Sequence, residues 1–338
     1  MARGSVTSRP GLVDLAAERL GGKALLANDE FFAPKENLLQ PGRGVFIEGR
    51  YTSHGAWMDG WETRRRREPG HDWCIVRLAV QGVIRALTVD TNHFKGNHPE
   101  ACSLDAAYAA RPIALKRLGE LEREWIEILP QSPLRGHAEN QFEVASDARA
   151  THVRLNIYPD GGVARLRVWG EARPDWTRLA SGKRLVDLGA ARHGGVVLAS
   201  SDGFFGEPGH LILPGRPVNM GDGWETRRRR GPGHDWAVLR LGVRGVIESV
   251  EVDTTHFKGN FPESCSLEGC DAGGTACREP PPEGTEWWQV LPRTTLKAHT
   301  RHGFRPAERR PATHVRFNIY PDGGVARLRL LGRPAELG

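Results

Sequence analysis

One unit is written twice in this chain, and that duplication limits its possible architecture more than any other feature. Asp59-Gly60-Trp61-Glu62-Thr63-Arg64-Arg65-Arg66-Arg67, closed by Pro69-Gly70-His71-Asp72-Trp73, returns as Asp222-Gly223-Trp224-Glu225-Thr226-Arg227-Arg228-Arg229-Arg230, closed by Pro232-Gly233-His234-Asp235-Trp236. Val89-Asp90-Thr91-Asn92-His93-Phe94-Lys95-Gly96-Asn97 returns as Val252-Asp253-Thr254-Thr255-His256-Phe257-Lys258-Gly259-Asn260. Each copy ends in a shared run, Thr151 to Gly162 and Thr313 to Gly324. The period is far longer than a solenoid repeat, so the duplicated unit is a domain. The two copies are expected over residues 10–170 and 183–333, with a polar connector between Gly170 and Gly182. An insertion around Gly44 to Met58 is largely missing from the second copy.

Period-two alternation dominates within each copy. In Thr151 to Tyr158, Val153, Leu155 and Ile157 fall on one side and His152, Arg154 and Asn156 on the other, the signature of a strand. The polar side, with Arg165 and Arg167 from the returning strand, reads as a solvated outer face. Cys74 to Val80 and Val83 to Asp90 are short apolar runs, and Gln81-Gly82 between them reads as a hairpin turn. Asp14 to Leu20 and Ile113 to Glu124 are expected to be short helices. Many short strands separated by turn signals predict an all-β protein with one β-sandwich per copy. Binding residues would then gather on loops at the sheet ends.

Composition narrows the function classes. An apolar fraction of 39% with 26% charged residues suits a soluble globular protein, and no apolar run approaches the roughly 20 residues of a membrane span. No membrane partner is expected. The N-terminus lacks the apolar core of a secretory signal, and the five cysteines are an odd number. A cytoplasmic location with reduced thiols, Cys102 and Cys265 as buried structural residues among them, follows. The net charge of +6 is spread through the chain and interleaved with acids. With no nucleic-acid module beside it, it points to a small anionic substrate and away from nucleic acid.

The duplicated residues that carry chemistry are few. Arginine suits bidentate carboxylate recognition, so Arg64 and Arg66, with Arg227 and Arg229, are candidate substrate clamps. If their segment is extended, both lie on the face of Glu62. A charged edge held by ion pairs is the plain structural alternative. His71 and His93, with His234 and His256, are natural proton carriers. Glu62, Asp72 and Asp90, with Glu225, Asp235 and Asp253, could orient them or act as acid and base. Lys95 and Asn97, with Lys258 and Asn260, could donate to an oxygen that gains charge; simple turn chemistry is the alternative for both. No zinc, P-loop or nucleophile-elbow motif occurs, so neither metal nor cofactor is expected.

These motifs resemble the allantoicase family. The likeness rests on Asp-Gly-Trp-Glu-Thr-Arg-Arg-Arg-Arg with Gly-His-Asp-Trp, on Val-Asp-Thr-x-His-Phe-Lys-Gly-Asn-x-Pro-Glu and on Asn-Ile-Tyr-Pro-Asp-Gly-Gly-Val-Ala-Arg. Asp29-Glu30-Phe31-Phe32-Ala33 belongs to the same pattern, and the likeness covers nearly the whole chain. It implies two tandem galactose-binding-like jelly-roll sandwiches and hydrolysis of allantoate to ureidoglycolate and urea in purine catabolism. A homo-oligomer is also expected. Gly203 stands where the first copy has Glu30, and Phe261 where it has His98, so the copies need not be equally active. The competing readings are a non-catalytic tandem lectin-like sandwich, binding a sugar or small anion, and a metal-dependent ureidohydrolase.

Overall fold

Alternating apolar residues become strands throughout the computed structural model, which describes residues 9–111, 113–118, 125–273 and 278–336. The first repeat contains β1 (Val13–Asp14), β2 (Lys23–Ala27), β3 (Tyr51–Thr52), β4 (Gly55–Ala56), β5 (Trp61–Glu62), β6 (Asp72–Asp90), β7 (Ala101–Ala107), β8 (Ile126–Pro133), β9 (Glu139–Glu143), β10 (Arg149–Tyr158), β11 (Gly162–Val163) and β12 (Arg165–Ala172). The second contains β13 (Val186–Asp187), β14 (Val196–Ser200), β15 (Trp224–Glu225), β16 (Asp235–Asp253), β17 (Ser264–Cys270), β18 (Trp288–Thr295), β19 (Arg301–Phe304), β20 (Pro311–Tyr320), β21 (Gly324–Val325) and β22 (Arg327–Pro334). The chain from Val13 to Arg173 forms one compact unit and the chain from Pro174 the other.

The expected hairpin at Gln81-Gly82 is instead the middle of the 19-residue strand β6. Gly82 lacks the positive φ that a two-residue hairpin turn asks of its glycine. It is there for close approach: a Cβ at Gly82 would stand 2.4 Å from the carbonyl oxygen of Glu171 on β12. The long strand serves two layers of a jelly-roll sandwich. Residues 72–77 pair with β10 and β2, while residues 82–90 pair with β12 and β9. The register with β10 slips between Ala150 and His152, where the strand passes from one layer to the other. Strand β16 does the same with β20, β14, β22 and β19. Between the layers, Leu87, Val89, Leu104, Val153, Leu155, Ile157, Leu166 and Val168 are wholly buried.

Three further expectations change. The polar face of β10 and β12 is not solvated: His152, Asn156, Arg165 and Arg167 are all buried. Loops lie across it and hydrogen-bond to it. Arg165 pairs with Asp59 at 2.8 Å, and Arg167 donates to the carbonyls of Gln40 and Gly42. From Asp14 to Leu20 the chain forms β1 and then a single 3₁₀ turn, Glu18–Leu20, because the Asp14 carboxylate accepts from Ala16 N and Val168 N and ties the chain to β12. Of the helix expected over Ile113 to Glu124, Leu115–Leu118 is present, and 119–124 lie outside the described residues.

Candidate active site

Two fully buried aromatic residues position the duplicated loops. Trp61 is anchored by its ring nitrogen, which donates to Asp29 O at 2.8 Å. Phe94 fills the space left by two glycines: an added Cβ would stand 2.8 Å from its ring at Gly60 and 1.9 Å at Gly162. Gly162 is the register partner of Glu62 in the β5–β11 pair. The Asp59-to-Glu62 segment, the Asp90-to-Asn97 loop and the start of β11 are therefore packed around one phenyl ring. Trp224, Phe257, Gly223 and Gly324 repeat the arrangement.

At this junction the Asn97 amide donates to Glu62 Oε1 at 2.7 Å, and Asn260 donates to Glu225 in the second repeat. Glu62 is buried, which pushes its carboxyl above the ordinary range, while the Asn97 bond opposes that rise. The arginines are occupied by the protein's own carboxylates. Arg64 donates to Asp29 through its backbone N at 3.1 Å and Nε at 2.7 Å, with its side chain largely in solvent. Partial burial pushes the Asp29 carboxyl up, but the N–H groups of Phe31 and Arg64 and the guanidinium hold it below its usual value. Arg66 donates from Nη1 to Asp72 at 2.7 Å, and its backbone N donates to Asp160 at 2.8 Å. Arg65 and Arg67 are exposed. Arg227 pairs with Asp202, and Arg229 with Asp235, in the same way.

His71 lies over the Tyr158 ring, with centroids 4.8 Å apart. Burial lowers its pKa, the Arg154 and Arg66 charges add to the fall, and Asn156 and Asp105 act against it. His234 lies over Tyr320 at 4.6 Å. Asp90 is wholly buried and gripped by Arg43, whose Nε and Nη2 reach its two oxygens at 3.0 and 2.9 Å. Arg43 also meets Glu139 at 3.2 Å. His93 adopts a left-handed φ of 70° and donates its backbone N–H to His137 Nδ1 at 2.9 Å. Burial, then the neighbouring His137 and Arg43, lower its pKa. His256 and His299 form the matching pair. Lys95 and Lys258 are exposed.

The repeats diverge beside this aspartate. Glu139 and Arg301 are the strand partners of Asp90 and Asp253, so the neighbouring charge is reversed. Arg301 pairs with Glu251 at 2.9 Å, and Arg216, the counterpart of Arg43, is exposed. Asp253 accepts from Thr255 N at 2.8 Å.

The structure thus joins Glu62 to Asn97 and Arg66 to Asp72, and sets His71 within the field of Arg66. Asp90, His93 and Lys95 form a neighbouring electrostatic group. Sequence reasoning missed Arg43, His137, Asp105 and Ser103. The recurrence of Leu134-Arg135-Gly136-His137 as Leu296-Lys297-Ala298-His299 carried a signal for one of them. Among the described residues, no three His, Cys, Asp or Glu side chains gather as a metal ion would need.

The family model described as the allantoicase repeat matches residues 13–173 and again 186–335. A probable allantoicase of Burkholderia mallei is 49% identical over 95% of this chain and 94% of its own length. One of Rhizobium meliloti is 46% identical over 96% and 95%. The crystal structure of allantoicase from Saccharomyces cerevisiae superposes with a TM-score of 0.80 at 34% identity, covering 97% of this chain and 95% of that one. With both halves matched by the family model and near-complete relatives at this identity, the chain belongs to the allantoicase family.

Proposed function

We propose that the junction of the two duplicated loops is where the protein hydrolyses allantoate to ureidoglycolate and urea. The observation that carries this is the Asn97–Glu62 contact and its repetition as Asn260–Glu225. In the first repeat it sets a buried carboxyl, pushed above its ordinary range by desolvation, beside the arginine run of a basic protein.

Allantoate is a carboxylate whose central carbon bears two ureido nitrogens. Arg64 suits the substrate carboxylate: its Nε is used by Asp29, and its Nη nitrogens have no protein acceptor among the described residues. Arg66, bound to Asp72, is better placed to shape the loop than to turn outward. Glu62, whose carboxyl burial pushes above its ordinary range, is the group that gives a proton to the departing urea nitrogen, with His71 as the alternative donor. The lone pair of the remaining ureido nitrogen helps to expel urea and leaves an acyl-imine-like carbon. Water adds there and yields the carbinol of ureidoglycolate as its proton is taken up. For that base His93 suits better than Asp90, because the Asp90 carboxylate is neutralised by Arg43 whereas burial keeps the His93 ring neutral. The four described cysteines are buried and unpaired, in keeping with the reducing conditions of the cytoplasm.

The experiment is urea release from allantoate by the purified protein and by Glu62→Gln, Asp90→Asn and His93→Ala, each alone and beside its second-repeat equivalent. Near wild-type turnover from the whole set would refute the assignment.

A further inference from the structure

The hydrogen bonds beneath the two stacked histidines run in a fixed direction. Asn318 is 2% exposed, and its Nδ2 donates to Ser266 Oγ at 3.1 Å and to Glu268 Oε2 at 2.9 Å. Both amide hydrogens are therefore committed. Flipping the amide would set its oxygen against the Glu268 carboxylate, two acceptors with no proton between them. Asn318 Oδ1 is left facing His234 Nε2 at 3.3 Å. An amide oxygen only accepts, so Nε2 carries the proton and, in the neutral ring, Nδ1 keeps the lone pair. Ser266 Oγ also lies 3.0 Å from the hydroxyl of Tyr320, the residue on which His234 stacks. One serine thus ties the amide to the platform under the ring.

The first repeat holds the same parts. Asn156 is 3% exposed, and its Nδ2 donates to Ser103 Oγ and to Asp105 Oδ2, each at 2.9 Å. Its Oδ1 is buried with no hydrogen-bond partner among the described residues, an acceptor held ready on the side of His71. The charged groups acting on His71 are Arg154, Arg66 and Asp105, and Asp105 is itself bound by Arg154 at 2.9 Å. Glu268, which acts on His234, is bound by Arg316 at 2.7 Å. Each acid's charge is thus largely answered by an arginine, and the asparagine oxygen is what fixes the tautomer.

We propose that Asn156 and Asn318 are positioning residues that hold His71 and His234 as the Nε2–H tautomer, leaving Nδ1 as the nitrogen that exchanges a proton with substrate. This rests on the reading that these histidines serve the reaction.

The direct test needs no change to the binding network. In the full-length protein with ¹⁵N-labelled histidine, two-bond ¹H–¹⁵N correlations should show Nε2–H and a bare Nδ1 for both rings at pH above their titration. His71→Gln and His234→Gln assign the signals. An Nδ1–H tautomer, or a mixture like that of free histidine, overturns the proposal. Kinetics supply the second arm, with one repeat silenced at a time. Asn318→Ala in a His71→Gln background, and Asn156→Ala in a His234→Gln background, should lower kcat about 10- to 100-fold, part of the full general acid–base effect, with KM changed about twofold or less. The histidine limb of the pH–rate profile should move as well. Asn318→Asp with Glu268→Gln returns an acceptor to Nε2 and should restore kcat while moving that limb to higher pH. Unchanged kcat and an unmoved limb sink the positioning role. Full activity in the His71→Gln, His234→Gln double variant would instead sink the functional reading beneath it.

Discussion

Asn97 reaches from the loop after β6 to hold Glu62 at the end of β5, so two sequence motifs 35 residues apart share one hydrogen bond of 2.7 Å. Asn260 and Glu225 make the same link. At Glu62 desolvation pushes the carboxyl above its ordinary range, the direction that suits a general acid.

Glu62→Gln therefore separates activity from stability. Combined with Glu225→Gln, it should lower kcat for urea release about 10²-fold or more with little change in KM, as loss of a general acid does. Stability should move the other way. A carboxyl whose folded pKa is raised contributes stability below its unfolded value of about 4.3 and loses that contribution as pH rises through the folded value. At pH 7 the variant should thus unfold at the same or higher denaturant concentration than the parent.

Gly162 tests the packing behind the site. Its Cβ position is occupied by the Phe94 ring and its register partner is Glu62. Gly162→Ala should cost about 1–3 kcal/mol in chemical denaturation, as overpacking does, and should reduce turnover by displacing β5. Gly96→Ala, where an added Cβ meets nothing within 4 Å, is the control expected to leave stability within about 0.5 kcal/mol.

The Asp59–Arg165 pair tests the covered sheet face. Both side chains are almost fully buried, and Arg165 also donates to the Asp59 and Ala164 carbonyls. Asp59→Asn should destabilise by about 3–5 kcal/mol because it leaves a buried guanidinium without its counter-charge. Equilibrium urea unfolding would measure this, and a loss below about 1 kcal/mol would count against the pair's role.

Acid sensitivity should come from buried histidine. His314 is 1% exposed, and burial, followed by the Arg240 charge, lowers its pKa to about 4. Above the unfolded value of about 6.5 its contribution to stability is complete, and it is lost as pH falls to the folded value. His314→Asn should flatten the decline in unfolding free energy between pH 6.5 and 4, measured by denaturant titration at each pH.

The sequence by itself determined the duplication, the strand content and the residues worth watching. A repeat at domain length, alternation in β10 and the return of Glu62, His71, Asp90 and His93 as Glu225, His234, Asp253 and His256 are all local facts of the chain. What the tertiary structure decided is which groups are free to act. A glycine required for close packing looks in one dimension like a glycine in a turn, which is why β6 could not be told from a hairpin at Gly82. Polar residues on one side of a strand look solvated until loops from elsewhere cover them, as over Arg165 and Arg167. An arginine beside a motif looks available until the carboxylate that holds it is found far away in the chain, as with Arg64 and Asp29 or Arg43 and Asp90. Charge pairing and desolvation depend on distance in space, and only the folded chain sets that.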